Sequence, residues 1–66
     1  MNVKINGKQE LLEGADNLFN LVEKGGLNIE RIVIEHNYEV IPREKWPAVM
    51  LNENDNIEIV SFVGGG

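Results

Sequence analysis

Three glycines, Gly64-Gly65-Gly66, follow directly on the apolar run Ile57-Glu58-Ile59-Val60-Ser61-Phe62-Val63. Glycine has the most conformational freedom to lose on ordering and no side chain to pack. A carboxylate at Gly66 therefore rides on a stalk slender enough for a passage that excludes any Cβ. Fully extended, the stalk from Val63 to Gly66 reaches about 14 Å, enough to enter another protein's active site. The chemistry open to such a group is acyl activation. An α-carboxyl with an ordinary pKa of about 3.5 is fully ionised at neutral pH and a poor electrophile, so a partner must activate it. A frayed end with glycines by chance is the alternative, and three in succession make it the poorer one.

The rest of the composition removes other chemistries. The 66 residues contain no cysteine and one histidine, His36. Disulfides, zinc ribbons, thiol redox sites and cysteine nucleophiles are excluded, and a single imidazole makes no metal cluster. No catalytic side chain and no metal ligand set is expected. The formal charge of −5, with six Lys and Arg in all, argues against nucleic acid, which requires a basic face. An acidic surface suits a basic patch on another protein. No apolar run approaches the length of a membrane span, and Met1-Asn2-Val3-Lys4-Ile5 does not read as a secretory leader. The expectation is a soluble, cytoplasmic protein, monomeric when alone.

The elements that must carry the glycines follow from periodicity. Val3 and Ile5 alternate with Asn2, Lys4 and Asn6 as in a half-buried strand, and Asn6-Gly7 signals a hairpin. The return strand is placed at about Lys8 to Leu12. A three-residue loop, pairing Val3 with Leu11, is preferred over a two-residue turn pairing Val3 with Glu10, because it matches apolar to apolar. Asp16 or Asn17 is the N-cap of a helix of eight or nine residues, with Leu18, Leu21 and Val22 on one stripe. Gly25-Gly26 ends it, one of the pair in the left-handed C′ position. Arg31-Ile32-Val33-Ile34-Glu35 reads as a central strand, Asn37-Tyr38 as a tight reversal and Glu39-Val40-Ile41 as the returning strand, closed by Pro42. Arg43 to Pro47 suits one helical turn, Asn52 to Asn56 a polar turn, and Ile57 to Phe62 the last strand.

One helix burying its stripe on one sheet face, a leading hairpin and a last strand beside the first describe an α+β, β-grasp (ubiquitin-like) fold. It has a mixed sheet of four to five strands, one main helix and a short helical turn. Residues 1–62 are expected to form the domain and residues 63–66 a flexible tail.

Two sections resemble the ThiS family of sulfur carriers in thiamine biosynthesis. The first is Val33-Ile34-Glu35-His36-Asn37-Tyr38-Glu39-Val40-Ile41-Pro42-Arg43-Glu44-Lys45-Trp46; the second is Asp55-Asn56 through Val63 with Gly64-Gly65-Gly66. Tyr38 stands where that family often has glycine, and His36 where it often has an aliphatic residue. The resemblance implies that Gly66 is adenylated by a ThiF-type adenylyltransferase using ATP and then converted to a thiocarboxylate. The sulfur comes indirectly from a cysteine desulfurase and passes to thiazole synthase. The carrier is then a co-substrate and not an enzyme, with no bound cofactor. Gly64 and Gly65 thread into the partner's active site.

Along the last strand, Ile57 and Ile59 share one face, and Glu58, Val60 and Phe62 the other. If the first pair meets the helix, Val60 and Phe62, with Glu58 and Val63, form a docking patch beside the tail. Packing of Phe62 over the sheet edge is the bland alternative. Trp46 reads as a core plug, Arg43 as a solvated or locally paired cation and His36 as a surface residue near a turn. Glu53, Asp55 and Glu58 read as an acidic cluster near the tail or simply a hydrated turn. Three other functions compete. One is sulfur carriage in another pathway, as by the molybdopterin synthase small subunit; another is conjugation to lysines like ubiquitin. The third is an interaction domain with an inert tail.

Overall fold

The chain forms five strands: β1 (Asn2–Ile5), β2 (Lys8–Leu11), β3 (Ile32–His36), β4 (Glu39–Ile41) and β5 (Asn56–Ser61). The computed structural model describes residues 1–13 and 17–62. The strands form one sheet in the order β2-β1-β5-β3-β4. β1 and β5 run parallel; the other neighbours are antiparallel. One helix, α1 (Leu18–Lys24), and a 3₁₀ segment, Arg43–Ala48, complete the β-grasp fold, with a 3₁₀ turn at Ile29–Arg31 leading into β3.

The sheet keeps one dry face. Val3, Ile32, Ile34 and Ile57 point into it and meet Leu18 and Val22 of α1, with Trp46 and Leu51 closing the core. The Trp46 indole is 1% exposed, so its N–H needs an internal acceptor; it donates to the Ile41 carbonyl at 3.0 Å. This single bond ties the 3₁₀ segment to the end of β4 and confirms Trp46 as a core plug.

α1 has seven residues, one or two fewer than its sequence suggests. Its N-cap is Asn17, whose Oδ1 accepts from the Asn20 amide at 2.8 Å; the other candidate, Asp16, lies outside the described residues. At the far end the Gly26 amide donates to the Glu23 carbonyl and the Leu27 amide to the Val22 carbonyl. These are the paired bonds of a Schellman ending. Gly26, with φ +68°, is the left-handed member.

The first hairpin corrects an expectation. Val3 pairs with Glu10 and Ile5 with Lys8, so Asn6-Gly7 is a two-residue turn and not part of a three-residue loop. Asn6 (φ 54°) and Gly7 (φ 80°) are both left-handed, the backbone that a two-residue turn requires between right-twisted strands. Matching Val3 to Leu11 carries no weight here, because β2 is the outermost strand and Leu11 is largely exposed.

The β3–β4 reversal uses the same geometry with a residue ill suited to it. Asn37 has φ 51° and Tyr38 φ 71°. Asparagine tolerates this region, but an aromatic residue crowds its Cβ against the following carbonyl, costing about 1–2 kcal/mol. The Tyr38 side chain is 81% exposed and recovers little by packing. Tyr38→Gly should therefore stabilise the fold by about 0.5–1 kcal/mol after glycine's larger unfolded-state entropy is counted. Urea denaturation of the two proteins checks it; an unchanged or lower midpoint contradicts it.

Candidate functional site

The site is built around the exit of β5. Ile57 is fully buried and Ile59 half-buried on the helix face, while Val60 and Phe62 are exposed on the opposite one. The period-two alternation thus places Glu58, Val60 and Phe62 on the open side of the sheet. Val33 of β3 lies directly opposite Val60, and Glu35 directly opposite Glu58. Val40 of β4 is in turn opposite Glu35. Val33 is 41%, Val40 58%, Val60 58% and Phe62 47% exposed. Four apolar side chains bordered by two carboxylates therefore occupy the uncovered face where β5 ends. Sequence reasoning selected Glu58, Val60 and Phe62 from their own strand. It missed Val33, Val40 and Glu35, whose membership depends on the β3 and β4 register, although their alternation with buried Ile32 and Ile34 was visible.

Phe62 also borders a groove of about 360 Å³ formed with Ile32, Ile41, Pro42 and Trp46, with Arg43 at its rim. Its amide donates to the Arg31 carbonyl at 2.9 Å, the last main-chain bond among the described residues. Val63, Gly64, Gly65 and Gly66 lie outside the described residues. Arg43 is exposed and forms no ion pair among the described residues.

At the opposite end of β5 the polar residues do something other than expected. Asp55 is 6% exposed, and its carboxylate is fully engaged. Oδ2 accepts from His36 Nε2 at 2.7 Å and from the Asn52 amide at 2.8 Å; Oδ1 accepts from Asn37 Nδ2 at 3.1 Å. Asn37 Oδ1 in turn accepts from the Asn56 amide at 2.8 Å. These bonds pin the β3–β4 turn to the start of β5. Two expectations are corrected together. His36 is not a free surface residue but a half-buried ligand of Asp55, because its position in β3 turns its ring towards the Asn52–Asn56 turn. Asp55 and Glu53 form no acidic cluster at the end of β5 from which the tail departs. They precede β5, and six residues of strand, about 20 Å, separate Asp55 from Ser61. Glu53 instead accepts from Asn2 Nδ2 at 3.3 Å.

Burial alone pushes the Asp55 carboxyl up. The hydrogen bonds from His36, the Asn52 amide and Asn37, with the His36 charge, outweigh it and hold the group below its ordinary 3.8. In acid the unfolded carboxyl is protonated first, so between the two pKa values the unfolded chain holds more protons and is favoured. The Asp55 contribution to stability is complete above about pH 5 and is lost as pH falls through the folded pKa. Asp55→Asn should melt lower than the parent at pH 7 but show a smaller loss between pH 5 and the acid limit. Melting temperatures across that range check it; parallel curves contradict it.

Among the described residues no group of three or more His, Asp or Glu could hold a metal ion. No helix there is long and apolar enough to cross a membrane.

Comparison with known proteins places this geometry. The crystal structure of a thiamine biosynthesis protein (ThiS) from Geobacter metallireducens superposes with a TM-score of 0.85 at 33% identity, covering both chains entirely. The sulfur carrier protein ThiS of Bacillus subtilis is 49% identical over 35 residues, 53% of each chain. A thiazole synthase of Paramagnetospirillum magneticum is 30% identical across all 66 residues, and the chain spans 20% of that protein's length. Residues 3–66 match the ThiS family, and the chain belongs to that family.

Proposed function

We propose that this protein carries sulfur for assembly of the thiazole ring of thiamine, and that its reacting group is the carboxyl of Gly66. A carboxylate oxygen of Gly66 attacks the α-phosphorus of ATP on a ThiF-type adenylyltransferase, forming an acyl-adenylate and releasing pyrophosphate. A sulfur nucleophile, supplied indirectly by a cysteine desulfurase, attacks the acyl carbon. With the sulfur delivered at the oxidation level of sulfide, the acyl–phosphate bond breaks, AMP leaves and a thiocarboxylate remains at Gly66. Thiazole synthase then takes the sulfur. Apart from the reacting carboxylate of Gly66 itself, the chain lends no acid, base or nucleophile to these steps; it delivers an acyl group and is recognised. ATP belongs to the partner, and the setting is the cytoplasm.

The observation that carries this reading is the family match running through Gly66. The exposed apolar face at the exit of β5 supports it, since a substrate protein needs a surface to be held by while its terminus reacts. The kinship with a thiazole synthase supports that enzyme as acceptor. Val60, Phe62, Val63 and Glu58 dock, and Gly64 and Gly65 pass through the narrow entry. Incubation with a ThiF-type enzyme, ATP and a sulfur source should change the intact mass by exchange of one oxygen for sulfur. An unchanged mass under conditions where the enzyme activates another carrier of this family overturns the reading.

The docking role of Phe62 makes a separate prediction. With about half its surface exposed, Phe62→Ala should weaken binding to the activating enzyme about tenfold or more, as expected of an aromatic anchor, while lowering the melting temperature only slightly. Titration calorimetry and thermal melts decide it; a large fall in melting temperature with unchanged affinity assigns Phe62 to packing.

A further inference from the structure

The parallel ladder between β1 and β5 ends where a side chain takes over from a strand. The Lys4 amide donates to the Asp55 carbonyl and the Asn6 amide to the Ile57 carbonyl, both at 2.9 Å. The main chain then turns away at Asn6-Gly7. The Asn6 side chain continues in its place: Oδ1 accepts from the Ile59 amide at 2.7 Å, and Nδ2 donates to the Ile59 carbonyl at 3.1 Å. A carboxamide offers the same donor and acceptor as a peptide group, so Asn6 fills one further rung of a strand that has stopped.

The next rung is open. Asp55, Ile57 and Ile59 direct their main-chain groups towards β1. Asn56 and Phe62 direct theirs towards β3, through bonds with the Asn37 amide and the Arg31 carbonyl. The period of two therefore turns the Ser61 amide and carbonyl to the β1 side. No strand of the described residues runs there, and Ser61 is exposed. An interior strand of the sheet thus presents a free edge at the residue from which the tail sets out.

We infer that an extended segment of the enzyme that activates Gly66 adds to β5 at Ser61, in the lane that β1 vacates and Asn6 closes behind it. This rests on the functional reading above. A strand laid there is continuous with the exposed Val33–Val60 pair on the adjoining face. It also lies five residues from Gly66, about 17 Å at full extension, so the surface that grips the tail and the site that reacts with it belong to one enzyme. A second copy of this chain in the same lane would obstruct the tail's entry. Main-chain pairing fixes the direction and rotation of the departing chain, which a slippery apolar patch leaves free.

The test is a chain made by chemical synthesis with Ser61 N-methylated, which removes one donor and blocks the lane. The control carries N-methyl at Gln9, whose amide faces outward on the free edge of β2, since the Leu12 amide, an odd three positions on, points inward to the Met1 carbonyl. Pyrophosphate release is followed with a ThiF-type enzyme and ATP. N-methyl-Ser61 should raise the carrier concentration for half-maximal rate about tenfold, the effect of an interface bond lost with its partner left unpaired. The control should match the parent, and all three should melt alike. An unchanged half-maximal concentration, an equal loss at Gln9, or a lowered melting temperature for N-methyl-Ser61 overturns the inference. Failure of the parent itself to release pyrophosphate overturns the functional reading, and the inference with it.

Discussion

A chain cut back to Gly65, or extended by one residue beyond Gly66, should form no measurable thiocarboxylate and yet melt like the parent. The physical argument concerns reach. Among the described residues the last main-chain anchor is the bond from Phe62 to Arg31, and the four residues that follow it in sequence have a fixed maximum length. Removing or adding one residue moves the reacting carbon by about 3.5 Å. Displacements of about 1 Å at a reacting centre already cost about a hundredfold in rate. A glycine tail has no side chain with which to readjust its grip. The fold is untouched, because the core residues lie between Val3 and Ile57. Pyrophosphate release and intact mass are the readouts; a truncated chain modified at near the parent's rate refutes the assignment of Gly66.

Trp46→Ala should have the largest effect on stability. The indole is the largest fully buried side chain and joins the 3₁₀ segment to α1 and the sheet. Its deletion leaves a cavity and orphans the Ile41 carbonyl, which now accepts the indole N–H. Large aromatic truncations cost about 3–5 kcal/mol. A domain of this size holds in total about 3–10 kcal/mol, so much of the variant should be unfolded at room temperature. Trp46→Phe keeps most of the bulk and loses the bond; it should fold, with a loss of about 1–2 kcal/mol. Near-ultraviolet circular dichroism and urea titration separate the two. A Trp46→Ala protein with the parent's urea midpoint would contradict the account of the core.

Much of this was legible from residue order because local signals agreed with the global arrangement. The helix stripe of Leu18, Leu21 and Val22 could be buried only on a sheet. The Gly25-Gly26 pair supplied the left-handed residue that ends it, and alternation along β5 put Ile57 and Val60 on opposite faces. What was not legible depends on relations across strands. Apolar matching misplaced the hairpin register because it gave Leu11 a core role that an edge strand does not grant. The partners of Val60 and Glu58 are set by the β3–β5 register, so Val33, Val40 and Glu35 were invisible as members of the patch. His36 and Asp55 lie nineteen positions apart, and nothing local announces that one receives the other. Closeness in sequence also misled: Asp55 is only nine positions before the first of the three glycines, yet the whole length of β5 separates it from Ser61.

The lock on Asn6 bears on how the protein ages. Asparagine followed by glycine is the dipeptide most prone to spontaneous loss of its side-chain amide, through attack of the next backbone nitrogen on the carboxamide carbon. Here both ends of that carboxamide are held by Ile59, so the carbon cannot swing into line while the hairpin is closed. Conversion to aspartate should accordingly be slow in buffer and quicken in urea, which peptide mapping of stored samples would reveal. Equal rates in both would mean that the clamp gives no protection.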